Sequence, residues 1–517
     1  MSSATICILI TIFVYLVGML LIGFHYAKKN ESSSDFYLGG RKLGPLVTAM
    51  SAEASDMSSY LLMGLPGLAY WTGLADAGWT CIGLALGTYL NFLITSRRLR
   101  RYSIAVDAFT VPDFFSKRYH EGRHKTLMVL SSLIIIIFFS VYAAQCLSTC
   151  GKLFANLFGL SYQSMMIVAA AFVLIYTFLG GFLAESASDF MQAVVMVTVL
   201  VLILIMSVGA AGGLSAAIQH AEGIDGFFSL VQSAAPSATE VDVFGAAKPY
   251  GVLSIVSCLA WGLGYFGMPH ILLRFMAIRE EKELNQSRRI ATIWVVISMF
   301  IAVCIGVIGY SVSAAGKVPF LTTSAESETI IIKLADLMSR HGVLLAVMAG
   351  IILSGILAAT MSTADSQLLA AASSVSQDLM QHSFGMKMNQ RTTMLAARAT
   401  VIGIALIGMV LAWDPNSSVF RVVSFAWAGF GAAFGPVMLF SLFWKRANKQ
   451  GALAGMITGG AVVFIWKYLI APMGGAWAIY ELLPAFLAAC IAIVIVSLAT
   501  PAPEQAVTDT FDEIRGK

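Results

Sequence analysis

Charge is the first thing this sequence lacks. Only 12% of its 517 residues are Asp, Glu, Lys or Arg, against roughly a quarter in soluble domains. Hydrophobic residues make up 58%, and the mean hydropathy is +0.82. This excludes an ordinary soluble fold, and no stretch is polar enough to form a separate soluble domain. Histidine and cysteine are also scarce, at seven each. The cysteines (Cys7, Cys81, Cys146, Cys150, Cys258, Cys304 and Cys490) fall in or beside apolar runs without metal-type pairing to histidine, so they read as small buried hydrophobes.

What is present is a succession of apolar runs of about 20 residues, long enough to cross roughly 30 Å of hydrocarbon. They predict an all-α polytopic membrane protein with 13 transmembrane helices, centred near residues 15, 58, 85, 138, 170, 200, 262, 302, 358, 404, 432, 460 and 488. The first run has no basic flank before it and no Ala-x-Ala-like site after it, which predicts a permanent helix rather than a cleaved signal. Basic residues are retained in cytoplasmic loops. With the N-terminus outside and the C-terminus inside, the loops at 28–42, 97–125, 274–289, 387–398 and 445–449 and the tail hold 25 of the 32 Lys and Arg residues. Topology thus accounts for the net charge of +4, and no nucleic-acid partner is implied; the expected surroundings are lipid.

Two spans are interrupted. The second, around ASDMSSYLLMGLPG (54–67), carries Ser51, Glu53, Ser55, Asp56, Ser58 and Ser59, then Gly64, Pro66 and Gly67. The seventh, SCLAWGLGYFGMPHILLRF (257–275), has Gly262, Gly264, Gly267 and Pro269. Each opens a block of five spans, and paired Gly/Pro interruptions of this kind point to an inverted-repeat transporter. The expected organisation is a first helix at 1–30, a five-plus-five core of repeats at 43–213 and 250–446, two peripheral helices at 450–500 and a cytoplasmic tail at 501–517. Unwound backbone is tolerated in a membrane where it lines a cavity or binds an ion. The alternative for the second span is a kinked helix whose serines bond back to their own carbonyls.

The interior acids Glu53, Asp56, Asp189 and Asp365, with Glu185 near an inner boundary, cost at least roughly 2.5–3.5 kcal/mol each at mid-membrane and need interior partners. They are functional candidates, with a structural salt bridge or helix cap as the alternative. In the ninth span, AGIILSGILAATMSTADSQLLAAASSVSQDL (349–379), Ala359, Ser362, Thr363, Asp365 and Ser366 fall on adjoining helical rows. All are oxygen donors, as a small hard cation prefers; close packing through small residues is the alternative. The segment IIIKLADLMSR (330–340) has a helical period and predicts a surface helix, either a gate over the outer mouth or a loop cap.

The runs LGGRKLG (38–44), SDMSSYLLMGLPG (55–67), WGLGYFGMPHILLRFMA (261–277) and LAATMSTADSQLL (357–369) resemble the sodium/solute symporter family, most closely the bacterial sodium/proline symporters. The resemblance covers nearly the full length. It implies a Na⁺ ion held by the carbonyls of Ala54, Met57 and Ala359 and the hydroxyls of Ser362 and Thr363, with Asp56 assisting coupling nearby. A neutral five-oxygen cage suits a monovalent ion, since Ca²⁺ or Mg²⁺ normally demands carboxylates or retained water. The resemblance also marks Asp189 on the inward ion path. Some relatives hold a second sodium ion there, which makes Asp189, Asp365 and Ser366 candidates for a second cation site. For the substrate it implies Tyr60, Tyr142, Trp261, Tyr265 and Pro269, joined by Ser58 and Ser59 at the break. Two departures fall in this region: Ser59-Tyr60 replaces the Gly-Trp usual in proline transporters, and Met268 replaces Gln. Asp365 stands where a neutral residue is usual.

The function expected is sodium-coupled uptake of a small amino acid, most readily L-proline, by alternating access at the cell membrane. The alternatives are another small organic solute or anion, a proton-coupled transporter, and a membrane sensor built on the same scaffold. The short tail after the last span offers no output domain for a sensor. An intramembrane enzyme is disfavoured because the interior acids come without a nucleophile–base constellation.

Overall fold

A computed structural model describes residues 2–27, 38–122, 124–179, 182–236 and 244–516. Lys28, Lys29, Arg123 and Lys517 of the basic set, and part of the first long loop, lie outside the described residues. The chain is mostly helical. Among the described residues ten helices are long and apolar enough to cross a membrane, and an eleventh if Val252–Gly267 and Pro269–Ala277, bent by 49°, count as one span. The segments expected near residues 58 and 170 are helical as well. The first is polar and interrupted, and the apolar stretch of the second, Tyr162–Ile175, is short.

In chain order the helices that position the site are α1 (Ser3–Ala27), α2 (Pro45–Ser59), α3 (Leu65–Thr72), α4 (Leu74–Ala105), α5 (Val111–Arg118), α6 (Thr126–Phe158), α7 (Tyr162–Leu179), α8 (Phe182–Ala211) and α9 (Leu214–Glu222). After a hairpin come α10 (Val252–Leu259), α11 (Pro269–Ala277), α12 (Leu284–Ala314), α13 (Ser324–Ser327), α14 (Ile330–Ser339), α15 (Val343–Ser373), α16 (Gln390–Leu411), α17 (Val419–Phe443), α18 (Lys449–Ile465), α19 (Leu482–Ala499) and α20 (Gln505–Gly516).

The hairpin, β1 (Gln232–Pro236) against β2 (Phe244–Pro249), is antiparallel and belongs to the first long loop. It is the exception to an all-helical expectation. The tail is helical: α20 docks on the bundle, with Phe511 under the Arg118 guanidinium at 5.5 Å and an Asp512–Lys445 ion pair.

Helix ends follow their capping residues. The side chains of Thr110, Asn389, Ser418 and Asn448 accept from the amides of Asp113, Thr392, Arg421 and Gly451, satisfying amides that have no intrahelical partner. Near-contact packing of backbones depends on glycine. A Cβ on Gly87 of α4 would meet Gly262 Cα at 2.4 Å, and one on Gly264 would lie 1.9 Å from Trp427 Nε1.

α15 runs through the middle of the bundle and packs on α1, α2, α6, α8, α14 and α16. The 330–340 segment is helical, as expected. As α14 it buries Ile330, Ile331, Ile332, Leu334 and Ala335 against α15, α8 and α12, while Lys333, Asp336, Leu337 and Met338 stay partly exposed.

The LGGRKLG motif ties the ends of the two broken spans together. Leu43 pairs in parallel with Ile278. Arg41 donates to the carbonyls of Met276 and Ala108 at 2.7 Å each, and Arg100 to that of Ile278 at 2.7 Å. Cations placed on the last carbonyls of α11 satisfy acceptors that the helix leaves open.

Candidate functional site

The second span breaks at Ser58, which has φ 48° and ψ −165° inside an otherwise helical run. A non-glycine residue at positive φ is uncommon and strained, and such residues gather where structure serves function. Five residues of π-helical turn, Tyr60–Gly64, then lead into α3. The Tyr60 amide is satisfied by the Met57 and Ser58 carbonyls and by Ser58 Oγ at 3.1 Å. The seventh span changes from α10 to a 3₁₀ stretch, Ala260–Gly267, and restarts at Pro269 after an extended Met268. Pro269 occupies the first turn of α11, where its missing N–H costs nothing.

Across from the first break stands α15, continuous and buried. Ser362 Oγ donates to the Ala54 carbonyl at 2.8 Å and to the Ala359 carbonyl at 3.1 Å, and Thr363 Oγ1 donates to Ala359 O at 3.1 Å. Four of the five expected cage members are thereby joined in one chain of contacts. The fifth, Met57, places its carbonyl at the break, where it accepts from the Tyr60 amide. Ala54, Met57, Ala359, Ser362 and Thr363 are all buried.

Asp56 points the other way. Its Oδ2 accepts from Tyr265 Oη at 2.6 Å, and its carbonyl faces Tyr142 Oη at 3.4 Å. The acid of the first break is therefore bonded to the tyrosine of the second. Ser59 Oγ lies 2.7 Å from Thr149 Oγ1 and also receives the Gln145 amide. Of the serines in this run, Ser55 alone shows the alternative behaviour, bonding back to Ser51 O and Ala52 O at 2.7 and 3.1 Å.

An aromatic layer covers the breaks. Tyr60 stacks on Trp261 at 5.8 Å, Trp261 stacks on Tyr480 at 4.9 Å, and Phe420 leans on both Trp261 (5.4 Å) and Tyr60 (6.0 Å). Trp427 Nε1 donates to the Trp261 carbonyl at 2.8 Å and its ring meets Tyr265 edge-on at 5.0 Å. Beyond this layer, on the face that carries the long loops, is a cavity of about 570 Å³. Trp261, Phe420 and Tyr480 line it together with Asp76, Arg421 and Lys467.

Glu328 ties α6 to the start of α17 on that side. Its carboxylate accepts from Lys152 Nζ at 3.0 Å, Ser418 Oγ at 2.7 Å, Val419 N at 2.9 Å and Phe420 N at 3.0 Å; Glu328, Lys152, Ser418 and Val419 are buried and Phe420 partly so. An anion at the start of α17 is favoured by the exposed amides of the helix N-terminus.

The remaining candidates separate into two places. Asp365 accepts from Thr177 Oγ1 of α7 at 2.6 Å. Asp189 and Ser366 lie in a different cluster, around Arg274. The Arg274 guanidinium donates to Asp189 Oδ2 at 3.0 Å, Ser366 Oγ at 2.8 Å, Ser51 Oγ at 3.1 Å and its own-helix His270 carbonyl at 2.8 Å, and it pairs with Glu185.

Arg274 was legible only as an inner-loop cation. Its place within the apolar run HILLRFMA, five residues past the break proline, was the available signal of burial. Gln145, Thr149, Phe420 and Trp427 carried no such signal, because they come from spans without interruptions, and Tyr480 lies in the connection before α19. Among the described residues no group of three His, Cys, Asp or Glu could hold a metal ion. The oxygen set at Ser362 therefore stands apart from a transition-metal site, and its neutral character suits an alkali cation.

Two interrupted membrane helices that meet beside a continuous, hydroxyl-bearing one define the core of a secondary transporter. The chain superposes on a Na⁺-coupled sialic acid symporter solved in a substrate-bound outward-open state, with a TM-score of 0.76 over 96% of this chain and 99% of that one, at 19% identity. That likeness concerns the fold. In sequence it is 41% identical to the sodium/proline symporter of Haemophilus influenzae, over 98% of this chain and 97% of the relative. It is also 41% identical to the osmoregulated proline transporter OpuE of Bacillus subtilis, over 96% of each. The profile of the sodium:solute symporter family matches residues 36–459. The chain belongs to the sodium:solute symporter family; it is a sodium-coupled transporter and not an enzyme.

Proposed function

We propose that the chain takes up L-proline with sodium by alternating access, and that the ion sits between the break of α2 and the hydroxyls of α15. The observation that carries this reading is the bridge from Ser362 Oγ to the Ala54 and Ala359 carbonyls. In this reading the ion takes the carbonyls of Ala54, Met57 and Ala359 with the hydroxyls of Ser362 and Thr363, replacing hydrogen bonds these oxygens now make to each other. Names shared by relatives at 36–41% identity over nearly the whole chain support proline as the substrate.

The substrate lies beside the breaks, framed by Tyr60, Tyr142, Trp261 and Tyr265, with Ser58, Ser59 and Pro269 shaping the backbone. Rings enclose the apolar body, and the helix restart at the second break receives the carboxylate. Asp56 couples the two ligands through Tyr265: filling the cage orders the α2 break, and with it the tyrosine that faces the substrate. Reciprocal coupling of this sort is typically about 1–3 kcal/mol. The membrane potential adds roughly 2.3 kcal/mol per charge per 100 mV.

The architecture proposed with this function is 13 spans with repeats at 43–213 and 250–446, the N-terminus outside and the C-terminus in the cytoplasm. The two long loops and the cavity above the aromatic layer then face outward, and the Arg41 and Arg274 clusters lie toward the cytoplasm. Labelled proline uptake into proteoliposomes, under a sodium gradient and separately under a proton gradient, tests the assignment. Uptake is expected with the first alone; uptake driven equally by protons removes the ion assignment.

A further inference from the structure

We infer that the cavity above the aromatic layer is a second binding site for a small zwitterionic amino acid, which it holds before the layer opens, with the carboxylate on Arg421 and the ammonium on Asp76. This rests on the proposed function, which supplies the cargo and makes the cavity outward-facing.

Two opposite charges share this cavity without using each other. Arg421 stands exposed in the first turn of α17. Its backbone engages Ser418 and Ser424, but among the described residues its guanidinium has neither a hydrogen bond nor an ion pair. A cation there is at the positive end of the helix dipole, so the fold gains nothing locally from its charge. Asp76, in the first turn of α4, is half-buried and accepts from Tyr250 Oη. Among the described residues no cation pairs with it. Lys467, the third charge of the lining, is already answered by Glu481 at 3.1 Å.

The lining selects the class of ligand. Its volume of about 570 Å³ falls within the roughly 300–1,000 Å³ of small-molecule sites. Trp261, Phe420 and Tyr480 give it an aromatic wall on which a short apolar body can rest. A simple anion would answer Arg421 and leave Asp76 alone, and a simple cation would do the reverse. A zwitterion answers both, with the planar guanidinium matched to a carboxylate and the acid to an ammonium. Both side chains also meet water, which screens the gain. The site is therefore weak, as a place that must release its ligand inward has to be.

Trp261 joins this cavity to the position beside the breaks. It lines the cavity and stacks on Tyr60 at 5.8 Å, and its carbonyl holds Trp427, whose ring meets Tyr265. A molecule held here is one aromatic layer away from the frame proposed for transport. None of the five expected sodium ligands, Ala54, Met57, Ala359, Ser362 and Thr363, lines the cavity. Binding here consequently needs no sodium, whereas binding beside the breaks does.

The test is equilibrium dialysis of labelled L-proline, taken to saturation on the purified full-length chain, with and without sodium. The wild type is expected to bind two molecules with sodium and one without. In Arg421→Gln, and separately in Asp76→Asn, half-saturation of the sodium-independent molecule should rise by about tenfold or more, the low end of what a hydrogen bond to a charged group contributes. The sodium-dependent molecule should still bind, which also reports that the variants are folded. Pyrrolidine, which has no carboxylate, and cyclopentanecarboxylate, which has no ammonium, should leave the sodium-independent molecule in place at concentrations where unlabelled proline displaces it. A wild type that binds one molecule with sodium and none without overturns the proposal and leaves the functional reading standing. So does sodium-independent binding that both variants leave unchanged, or that either analogue displaces as well as proline does. One sodium-independent molecule, weakened in both variants and joined by no second when sodium is added, keeps this site and overturns the functional reading. No bound proline at all overturns both.

Discussion

Tyr265 Oη donates to Asp56 Oδ2 at 2.6 Å, although the two residues are 209 positions apart in the chain. One belongs to the break of the second span and the other to the break of the seventh. The bond fixes the two interruptions relative to each other, beside the contact of Ser362 with the Ala54 carbonyl and beneath the aromatic layer. A buried carboxylate needs such a donor, because a charged group without one is strongly disfavoured in an apolar interior.

Tyr265→Phe removes that donor while keeping the ring. A hydrogen bond to a charged group is worth about 1.5–3 kcal/mol, so the sodium concentration for half-maximal uptake should rise by roughly ten- to a hundredfold. Uptake titrated against sodium measures this. A shift in proline half-saturation alone, with sodium dependence unchanged, would show that Asp56 does not communicate with the cage.

The double substitution Ser362→Ala with Thr363→Ala deletes both hydroxyls expected to hold the ion. Its sodium requirement should exceed that of the wild type by at least about tenfold, since each lost contact contributes of the order of 1 kcal/mol. Tyr142→Phe loses only a 3.4 Å contact to the Asp56 carbonyl and should leave sodium dependence close to wild type. Equal sodium curves for the two variants count against the cage.

Gly264→Ala tests the packing beneath the aromatic layer. The new methyl would stand 1.9 Å from Trp427 Nε1, the atom that holds the Trp261 carbonyl at 2.8 Å. Overpacking of this kind typically costs about 1–3 kcal/mol. Thermal unfolding in detergent should occur at lower temperature and proline affinity should fall; an unchanged profile in both would mean that Trp427 does not position the layer.

Glu328→Ala leaves Lys152 buried without its carboxylate and strips three further donors of their acceptor. Breaking a buried pair costs about 3–5 kcal/mol, and adding Lys152→Met should restore part of that loss. A thermal-stability cycle over the two single variants and the double variant measures the coupling. Strict additivity would show that the pair does not tie α6 to α17.

Much of the site was legible because it breaks the local rules of an apolar chain. The Gly/Pro-interrupted runs at 54–67 and 257–275 and the hydroxyl rows of α15 led to residues that the fold brings within hydrogen-bonding distance: Ala54 with Ser362, and Asp56 with Tyr265. Pairwise partners were not legible. Asp365 shares a helical face with Ser362 by spacing, yet it turns to Thr177, because which flank of a buried helix meets which neighbour is decided by tertiary packing. Arg274 looked like loop charge by count, and its burial depends on acids that α8 supplies from 85 and 89 residues away. The hairpin at 232–249 has no strong alternation and lies in a loop rich in small residues, so periodicity could not announce it.

The central claim is that sodium, held between Ala54 and Ser362, drives the substrate inward. The most direct measurement is labelled proline uptake in proteoliposomes of the wild type and of Ser362→Ala/Thr363→Ala, across a series of imposed sodium gradients with no proton gradient. The account predicts concentrative, sodium-dependent uptake by the wild type and a curve displaced by about tenfold or more for the variant. Uptake by the wild type that ignores sodium, or a variant whose curve superposes on it, contradicts the account.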